Sequence, residues 1–248
     1  MVEIRNTQVY NLREAVLASG NAMRLEPILH TLDYKDFDAV FNSSLERCER
    51  LAKLGGGTGH SNFRTGILVS FDLKYPQYFT KQLQRYHYVQ YVSSTSMMHR
   101  ITKMDFSKCC NKYVSPASIV QINYFIYLYN CLSNNKEDKD RFFEVKNNYI
   151  ETIETFGDVK DYNVEIVSNT VLRIASINEV EDLLYDLYMS IISNCPMGAE
   201  LWVHCSTNYE QLTTIYKQRK NHKLKEDWGE FCAWIESLPY AKELIICE

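Results

Sequence analysis

The spacing of apolar residues in the second half of the chain is the feature that most limits its fold. Apolar side chains recur there three and four residues apart, which places them on one face of an α-helix. The spacing predicts helices over residues 117–132, 138–156, 177–192, 207–221 and 227–238. The longest apolar and aromatic stretch, 119–132, is too short and too polar to span a bilayer. We therefore expect buried helices and no membrane partner.

The first half of the chain adds strand patterns to this helical background. Residues 2–10 and 67–73 are typical of β-strands, and Asn11 followed by Glu14 predicts a capped helix that reaches about residue 20. Another helix is predicted over 35–54, ended by three glycines at 55–57, and Pro76 predicts a helix from there to about residue 86. With no repeat and no clear linker, we expect a single α+β domain over residues 1–248.

Charge and cysteine usage exclude several classes of protein. The net charge of −4 gives no general attraction to a polyphosphate, so we expect no nucleic-acid partner. The eight cysteines form no Cys-x-x-Cys pair, and His204 beside Cys205 lacks further ligands at metal-site spacing, so no metal is expected. Reduced thiols and the absence of a signal-like start predict a cytoplasmic protein.

Residues 59–100 concentrate polar groups that suit a phosphate. Arginine offers forked donors to an anion, and hydroxyl groups add short neutral ones. The alternative is a polar helix surface followed by a serine-rich turn. The groups are Gln82, Arg85, His87, Ser93, Ser94, Thr95, Ser96, His99 and Arg100, which the pattern predicts to lie in one helix and turn.

The order of these residues resembles the flavin-dependent thymidylate synthases, ThyX. That family has Gly-His and a nearby serine, then a strand, then Gln-x-x-Arg-His-Arg, seven residues, and Ser-x-Arg. Here the chain reads Gly59-His60-Ser61, a strand, Gln82-Leu83-Gln84-Arg85-Tyr86-His87, seven residues, and Thr95-Ser96. It departs from the pattern in two places, because Arg-His-Arg has become Arg-Tyr-His and the last arginine appears later, as Arg100.

A second match lies near the C-terminus. ThyX proteins have Asn-x-Arg-x-Leu followed by an arginine that reaches the nucleotide, and the interval from Asn208 to Arg219 has the family length. Glu210 stands where the family has an arginine. With the opening stretch 9–15, the matches cover most of the chain in the family's order.

The resemblance implies a homotetramer with FAD and dUMP at subunit interfaces, in a fold with a mainly antiparallel sheet packed against several helices. Family members methylate the pyrimidine deoxynucleotide with a one-carbon unit from methylenetetrahydrofolate, and NADPH supplies the reducing power. The implied nucleotide-binding residues are Gln82, Thr95, Ser96, Arg100 and Arg219, with Ser96 also catalytic. The implied flavin-binding residues are His60, Ser61, Arg85, His87 and Asn208.

The departures from the family pattern keep three functions open. His87 carries a full charge only when protonated and Glu210 has the opposite sign, so both weaken the expected contact with the FAD diphosphate. The chain is then a flavin-dependent enzyme, a non-catalytic nucleotide-binding protein on the same scaffold, or a structural protein. The basic stretch 217–223 is either a solvated helix end or an anion-facing one, and His30 is expected to be a core or surface histidine.

Overall fold

The computed structural model describes residues 1–26, 34–54, 59–156 and 173–247. Contacts between residues divide the chain into two compact units, one formed by Met1–Thr95 with Glu200–Glu248 and the other by Ser96–Ala199. Each unit is described by itself below. The predicted glycine stop at 55–57 and His30 lie outside the described residues.

An antiparallel sheet of four strands forms the centre of the first unit. Its strands lie side by side in the order Glu3–Tyr10, Leu68–Pro76, Glu200–Asn208 and Gln90–Ser94. Successive side chains of a strand point to opposite faces. In the second strand Val69, Phe71 and Leu73 are fully buried in the core, while Ser70 and Asp72 point to the other, half-exposed face. The strands are β1 Glu3–Tyr10, β2 Leu68–Pro76, β3 Gln90–Ser94 and β4 Glu200–Asn208.

Helices pack against the sheet of the first unit and form most of the second unit. In chain order, the α-helices include α1 Leu12–Ala18, α2 Tyr34–Lys53, α3 Gln77–Leu83, α4 Met97–Arg100, α5 Phe106–Cys109, α6 Pro116–Asn134, α7 Lys139–Phe156, α8 Val180–Ser193, α9 Tyr209–Arg219 and α10 Lys225–Glu236. The first unit contains α1–α3, α9 and α10, and the second contains α4–α8.

Aromatic side chains fill the core between the sheet and α10. Trp228 and Phe231 of α10 are fully buried, and the Phe79 ring lies 4.4 Å from the Trp228 ring centroid. Phe71 of β2 packs 4.5 Å from Trp234. Because α3 carries Phe79 and α10 carries Trp228, this packing holds the two helices side by side and brings their polar residues together.

The second unit has its own apolar core between helices. Leu128 and Leu132 of α6 pack with Leu183 and Leu187 of α8, and all four side chains are buried. Pro116 opens α6, and the Ser115 side chain caps it by accepting a bond from the Ser118 amide. The helical predictions over 117–132, 138–156 and 177–192 are thus confirmed.

Three local predictions were wrong. The segment read as one helix and turn contains β3, and β4 occupies residues for which no strand was predicted, including the first two of the predicted helix 207–221. Short apolar runs do not distinguish a strand from a helix, and pairing with β2 decides for β4. Asn11 does not cap α1 with its side chain, because its backbone is left-handed and its amide donates to the Gly66 carbonyl at 2.9 Å.

None of the helices in the described part of the chain has the length and apolar character needed to cross a membrane. The observed mixture of an antiparallel sheet with packed helices confirms the predicted α+β class.

Candidate functional site

Gln82 and Arg219 are in direct contact in the first unit. Gln82 lies in the last turn of α3 and Arg219 is the last residue of α9. The Gln82 Oε1 atom accepts a hydrogen bond from Arg219 Nη1 at 3.3 Å and from Trp228 Nε1 at 2.9 Å. Two residues that the sequence assigned to one nucleotide site are therefore brought together from distant parts of the chain.

The Arg219 guanidinium has neutral neighbours. Its Nε donates to the Tyr86 hydroxyl at 2.7 Å, and that hydroxyl donates to Gln218 Oε1 at 3.0 Å. The guanidinium carbon lies 4.6 Å from the Trp228 ring centroid and 5.5 Å from that of Tyr86. These contacts hold the Arg219 guanidinium in place. Because no carboxylate of the described residues pairs with it, its positive charge is available to an anion.

A cleft of 360 Å³ opens beside this arginine. Arg85 and His87, both exposed, line it together with Arg219, and Tyr88 and Glu210 complete its charged and aromatic wall. Two arginines, a histidine and one carboxylate thus face the same space. Such a set suits an anionic ligand that also offers hydrogen-bond donors.

Glu210 is the counter-ion of a buried arginine that the sequence analysis missed. The Arg64 side chain is fully buried, and its Nη1 lies 3.4 Å from Glu210 Oε2. Its Nη2 donates to the Ala52 carbonyl at 3.0 Å and contacts Cys247 Sγ at 2.9 Å. Burial raises the pKa of the Cys247 thiol although Arg64 opposes this, so the thiol is neutral at neutral pH. The buried Arg64 therefore offsets the charge of Glu210, which corrects the expectation of an unpaired negative charge in the cleft.

Asn208 has a structural role at the start of α9. Its Oδ1 accepts a hydrogen bond from the Gln211 amide at 2.8 Å, the arrangement of a helix N-cap. The Gln211 side chain in turn accepts from the Tyr88 amide at 3.3 Å, which ties the segment after α3 to α9. The position assigned to flavin by resemblance thus also fixes the geometry of the cleft wall.

His60 lies in a different cleft of the first unit. This second cleft has a volume of 510 Å³ and is lined by Asn11, by Glu14 and other residues of α1, and by residues of the segment from Gly59 to Gly66. Ser61 beside it is buried. Within one chain, the structure therefore places His60 in one cleft and Arg85 with His87 in the other, while Ser61 and Asn208 line neither of the two.

The remaining predicted nucleotide residues follow β3. The Thr95 amide donates to the Trp202 carbonyl at 2.9 Å, which continues the pairing of β3 with β4. Ser96 and Arg100 belong to the second unit, where Ser96 Oγ accepts from the His99 amide at 3.3 Å and caps α4. Arg100 ends α4 with an exposed side chain.

His222 adds a titratable group next to Arg219. Its ring packs edge-on against Trp228, with 6.1 Å between ring centroids, and its Nδ1 accepts from the Leu224 amide at 3.1 Å. Loss of hydration lowers the pKa of His222, and the charges of Arg219 and Lys223 lower it further. The neutral imidazole is therefore favoured beside the arginine.

The sequence offered no signal for this contact, nor for Tyr86 and Trp228, because their neighbours come from three separate helices and loops.

Structural comparison assigns the fold. Two crystal structures of flavin-dependent thymidylate synthase ThyX from Helicobacter pylori, both with FAD and dUMP, match with TM-scores of 0.51 and 0.50 at 14% sequence identity. The matches cover 99% and 100% of this chain and 97% and 99% of the two bacterial chains. No family model matches the sequence, and no curated protein matches it significantly. The chain has a ThyX-like α+β fold, as its sequence resemblance predicted.

Proposed function

We propose that this chain binds a pyrimidine deoxynucleotide such as dUMP together with FAD, and transfers a one-carbon unit to the pyrimidine in a flavin-dependent reaction. The contact between Gln82 and Arg219 carries this proposal, because it reproduces in space a pair that the resemblance placed in one nucleotide site. The ThyX structures with the same fold contain FAD and dUMP.

Arg219 is the expected contact for the nucleotide phosphate. Gln82 and Tyr86 hold two of its nitrogens and leave the guanidinium without a carboxylate partner in the described part of the chain. A hydrogen bond from the charged guanidinium to a phosphate is stronger than a neutral one. Because the guanidinium is held in position before the ligand arrives, binding also costs less conformational entropy. Thr95, Ser96 and Arg100 remain proposed nucleotide contacts, and Ser96 the proposed catalytic residue.

The residues around the 360 Å³ cleft fit a phosphate-bearing cofactor. Arg85 and His87 would hold the FAD diphosphate there, and Arg64 offsets the charge of Glu210 behind them. FAD would supply the redox chemistry, and the protein would bind and orient it. His60, Ser61 and Asn208 are proposed further contacts, and methylenetetrahydrofolate and NADPH follow as co-substrates of the same proposal.

A non-catalytic nucleotide-binding protein is the second candidate. It is favoured by the Glu210 carboxylate, which lines the same cleft as Arg85 even though Arg64 compensates it. The FAD diphosphate at Arg85 and His87 would share the cleft with this carboxylate, whereas a phosphate held at Arg219 lies nine residues, about 13 Å, further along α9. A mononucleotide without flavin is therefore the easier ligand.

The absorption spectrum of the purified protein separates the two candidates. Flavin bands in the visible range, with FAD released on denaturation, support the flavin-dependent enzyme. A colourless protein that co-purifies with a nucleotide and does not take up added FAD supports the binding protein and contradicts the first proposal.

Arg219 provides the test of the nucleotide site itself. Arg219→Lys keeps the charge but loses the fork, and Arg219→Gln loses both, so dUMP affinity should fall in that order, with Arg219→Gln losing about 2 kcal/mol, roughly thirtyfold. Arg50→Gln, on the exposed side of α2, is the matched control and should bind like the parent. Calorimetric titration measures all three. Equal affinities for Arg219→Gln and Arg50→Gln would exclude Arg219 from the site.

A further inference from the structure

Three side chains on the half-exposed face of the sheet form a hydrogen-bonded chain outside the nucleotide site. Ser70 Oγ lies 2.9 Å from His204 Nε2, and His204 Nδ1 lies 2.6 Å from Asp72 Oδ1. Asp72 and His204 are paired across β2 and β4, and Ser70 is two residues before Asp72 on the same face. The order serine, imidazole, carboxylate and both distances are those of a nucleophile with its general base and the group that orients the base.

The local backbone is shaped around this cluster. The pairing of β1 with β2 shifts between Arg5 and Gln8, beside Ser70 and Asp72, and the pairing of β3 with β4 shifts between Tyr91 and Ser93, beside His204. Extra residues of this kind re-aim side chains and are frequent next to active sites. Two separate irregularities thus flank one set of three residues.

Asn6 shows what the first irregularity achieves. Its backbone is left-handed, with φ of 53°, a conformation that few residues other than glycine and asparagine adopt readily. The Asn6 amide donates to Asp72 Oδ2 at 2.6 Å, while His204 occupies Oδ1. These two bonds lower the pKa of Asp72, with that from Asn6 first, and keep it ionised. A fixed carboxylate holds the imidazole with its Nδ1 protonated and its Nε2 free to accept the serine proton.

We propose that Ser70, His204 and Asp72 form a second catalytic site, with Ser70 as the nucleophile, which hydrolyses esters of small carboxylic acids. Ser70 Oγ attacks the ester carbonyl and its proton passes to His204 Nε2. The alcohol leaves with that proton, and the acyl group remains on Ser70. Water then attacks the acyl group and gives a proton to His204 Nε2. His204 returns that proton to Ser70 Oγ as the bond to the acyl group breaks and the acid leaves, so that one ester and one water yield one acid and one alcohol.

The side chains are open to such a substrate. His204 keeps 40% of its side-chain surface exposed and Asp72 keeps 31%. The cluster lies on the sheet face and uses none of the residues assigned to the nucleotide or the flavin. A change at Ser70 should therefore leave nucleotide binding unaltered, and the two activities fail or succeed independently.

A fluorophosphonate probe tests the nucleophile directly, because it reacts with an activated serine and stays attached. We expect the native protein to be labelled at Ser70, located by peptide mass, and the heat-unfolded protein to remain unlabelled. Ser70→Ala should abolish the label. Ser206→Ala is the matched control, since Ser206 faces Ser70 across β2 and β4 and should leave labelling unchanged.

The partners of Ser70 are tested by rate. His204→Gln should slow labelling and the hydrolysis of p-nitrophenyl acetate by at least about 100-fold, the usual contribution of a general base. Asp72→Asn should slow both by at least about tenfold, because it no longer fixes the imidazole. Circular dichroism checks that each variant is folded. Native protein that takes no label at Ser70, or labelling that His204→Gln does not slow, overturns the proposal.

Discussion

Arg64 carries its charge into the interior of the first unit, where its side chain is fully buried. An ion in the interior must be paired, because the loss of hydration otherwise costs several kcal/mol. Glu210 is the carboxylate that meets Arg64 among the described residues, at 3.4 Å. Glu210, which stands where the resemblance expects an arginine, therefore pairs with a buried charge and is not simply a lost cation in the proposed flavin site.

Removing the carboxylate of Glu210 should destabilise the folded protein. Glu210→Gln leaves the Arg64 charge without its counter-ion, and we expect a loss of about 2 kcal/mol in the free energy of unfolding, less than for a fully buried pair because Glu210 is partly exposed. Glu210→Arg should cost more, since it adds a like charge. Denaturant unfolding measures both against Glu230→Gln, an exposed change in α10. A Glu210→Gln protein as stable as that control would show that the pair contributes nothing.

His222 should report on the ligand of Arg219 through its titration. Its pKa is lowered below the ordinary 6.5 by loss of hydration, then by Arg219 and Lys223. The stability linked to neutral His222 is thus fully present above pH 6.5, the ordinary value of the unfolded chain. It is lost as the pH falls from there through the lowered pKa of the folded protein. A phosphate bound to Arg219 offsets one of these positive charges, so dUMP should raise the pKa of His222.

Proton NMR measures this shift, with the His222→Gln variant used to assign the signal. Uridine is the matched ligand control, since it has the base but no phosphate. The same shift with uridine and dUMP would contradict a phosphate contact at Arg219.

At the scale of elements, α9 sets the spacing of the candidate site. Asn208 caps its first turn and Arg219 is the last of its 11 residues, so the interval from Asn208 to Arg219 rises about 16 Å along the helix axis. The interval shared with the family is therefore the length of this helix. A group held by Arg219 and a group held at Asn208 lie at opposite ends of α9, which fits two ligands better than one mononucleotide.

Variants of Asn208 should separate its capping role from a flavin contact. Asn208→Ala removes the cap and should cost about 1 kcal/mol, whereas Asn208→Ser replaces the accepting oxygen and should restore most of that loss. If Asn208 also holds FAD, the serine variant recovers stability but not FAD affinity. Thermal unfolding and fluorescence titration with FAD give the two quantities. Full recovery of both by serine would reduce Asn208 to a helix cap.

At the scale of the whole molecule, the proposed flavin residues line two separate clefts, and we expect the flavin sites to be shared by subunits. His60 lines one cleft and Arg85 the other, so neither cleft holds the whole predicted set. A homotetramer, as the resemblance implies, would let the His60 cleft of one chain meet the Arg85 cleft of another. We expect light scattering to give about four times the 29.1 kDa mass of the chain.

Co-expression of His60→Ala with Arg85→Ala should test the shared site. Each variant alone loses FAD, but random mixing leaves about a quarter of the shared sites with both native residues. The mixed protein should therefore retain roughly that fraction of the parent's bound FAD. No recovery of bound FAD on co-expression, together with a monomer in light scattering, would place the site within a single chain.

The sequence by itself determined the α+β class and the helices of the second unit, and its motif order predicted that Gln82 and Arg219 belong to one site. These follow from local periodicity and from motif order, which are properties of neighbouring residues. Tertiary structure decided which distant residues pair, because local periodicity carries no information about such contacts. Strand β4 exists because it pairs with β2, and Glu210 meets a cation because folding buries Arg64 behind it. The Ser70, His204 and Asp72 cluster likewise depends on strand register, which joins residues more than 130 positions apart.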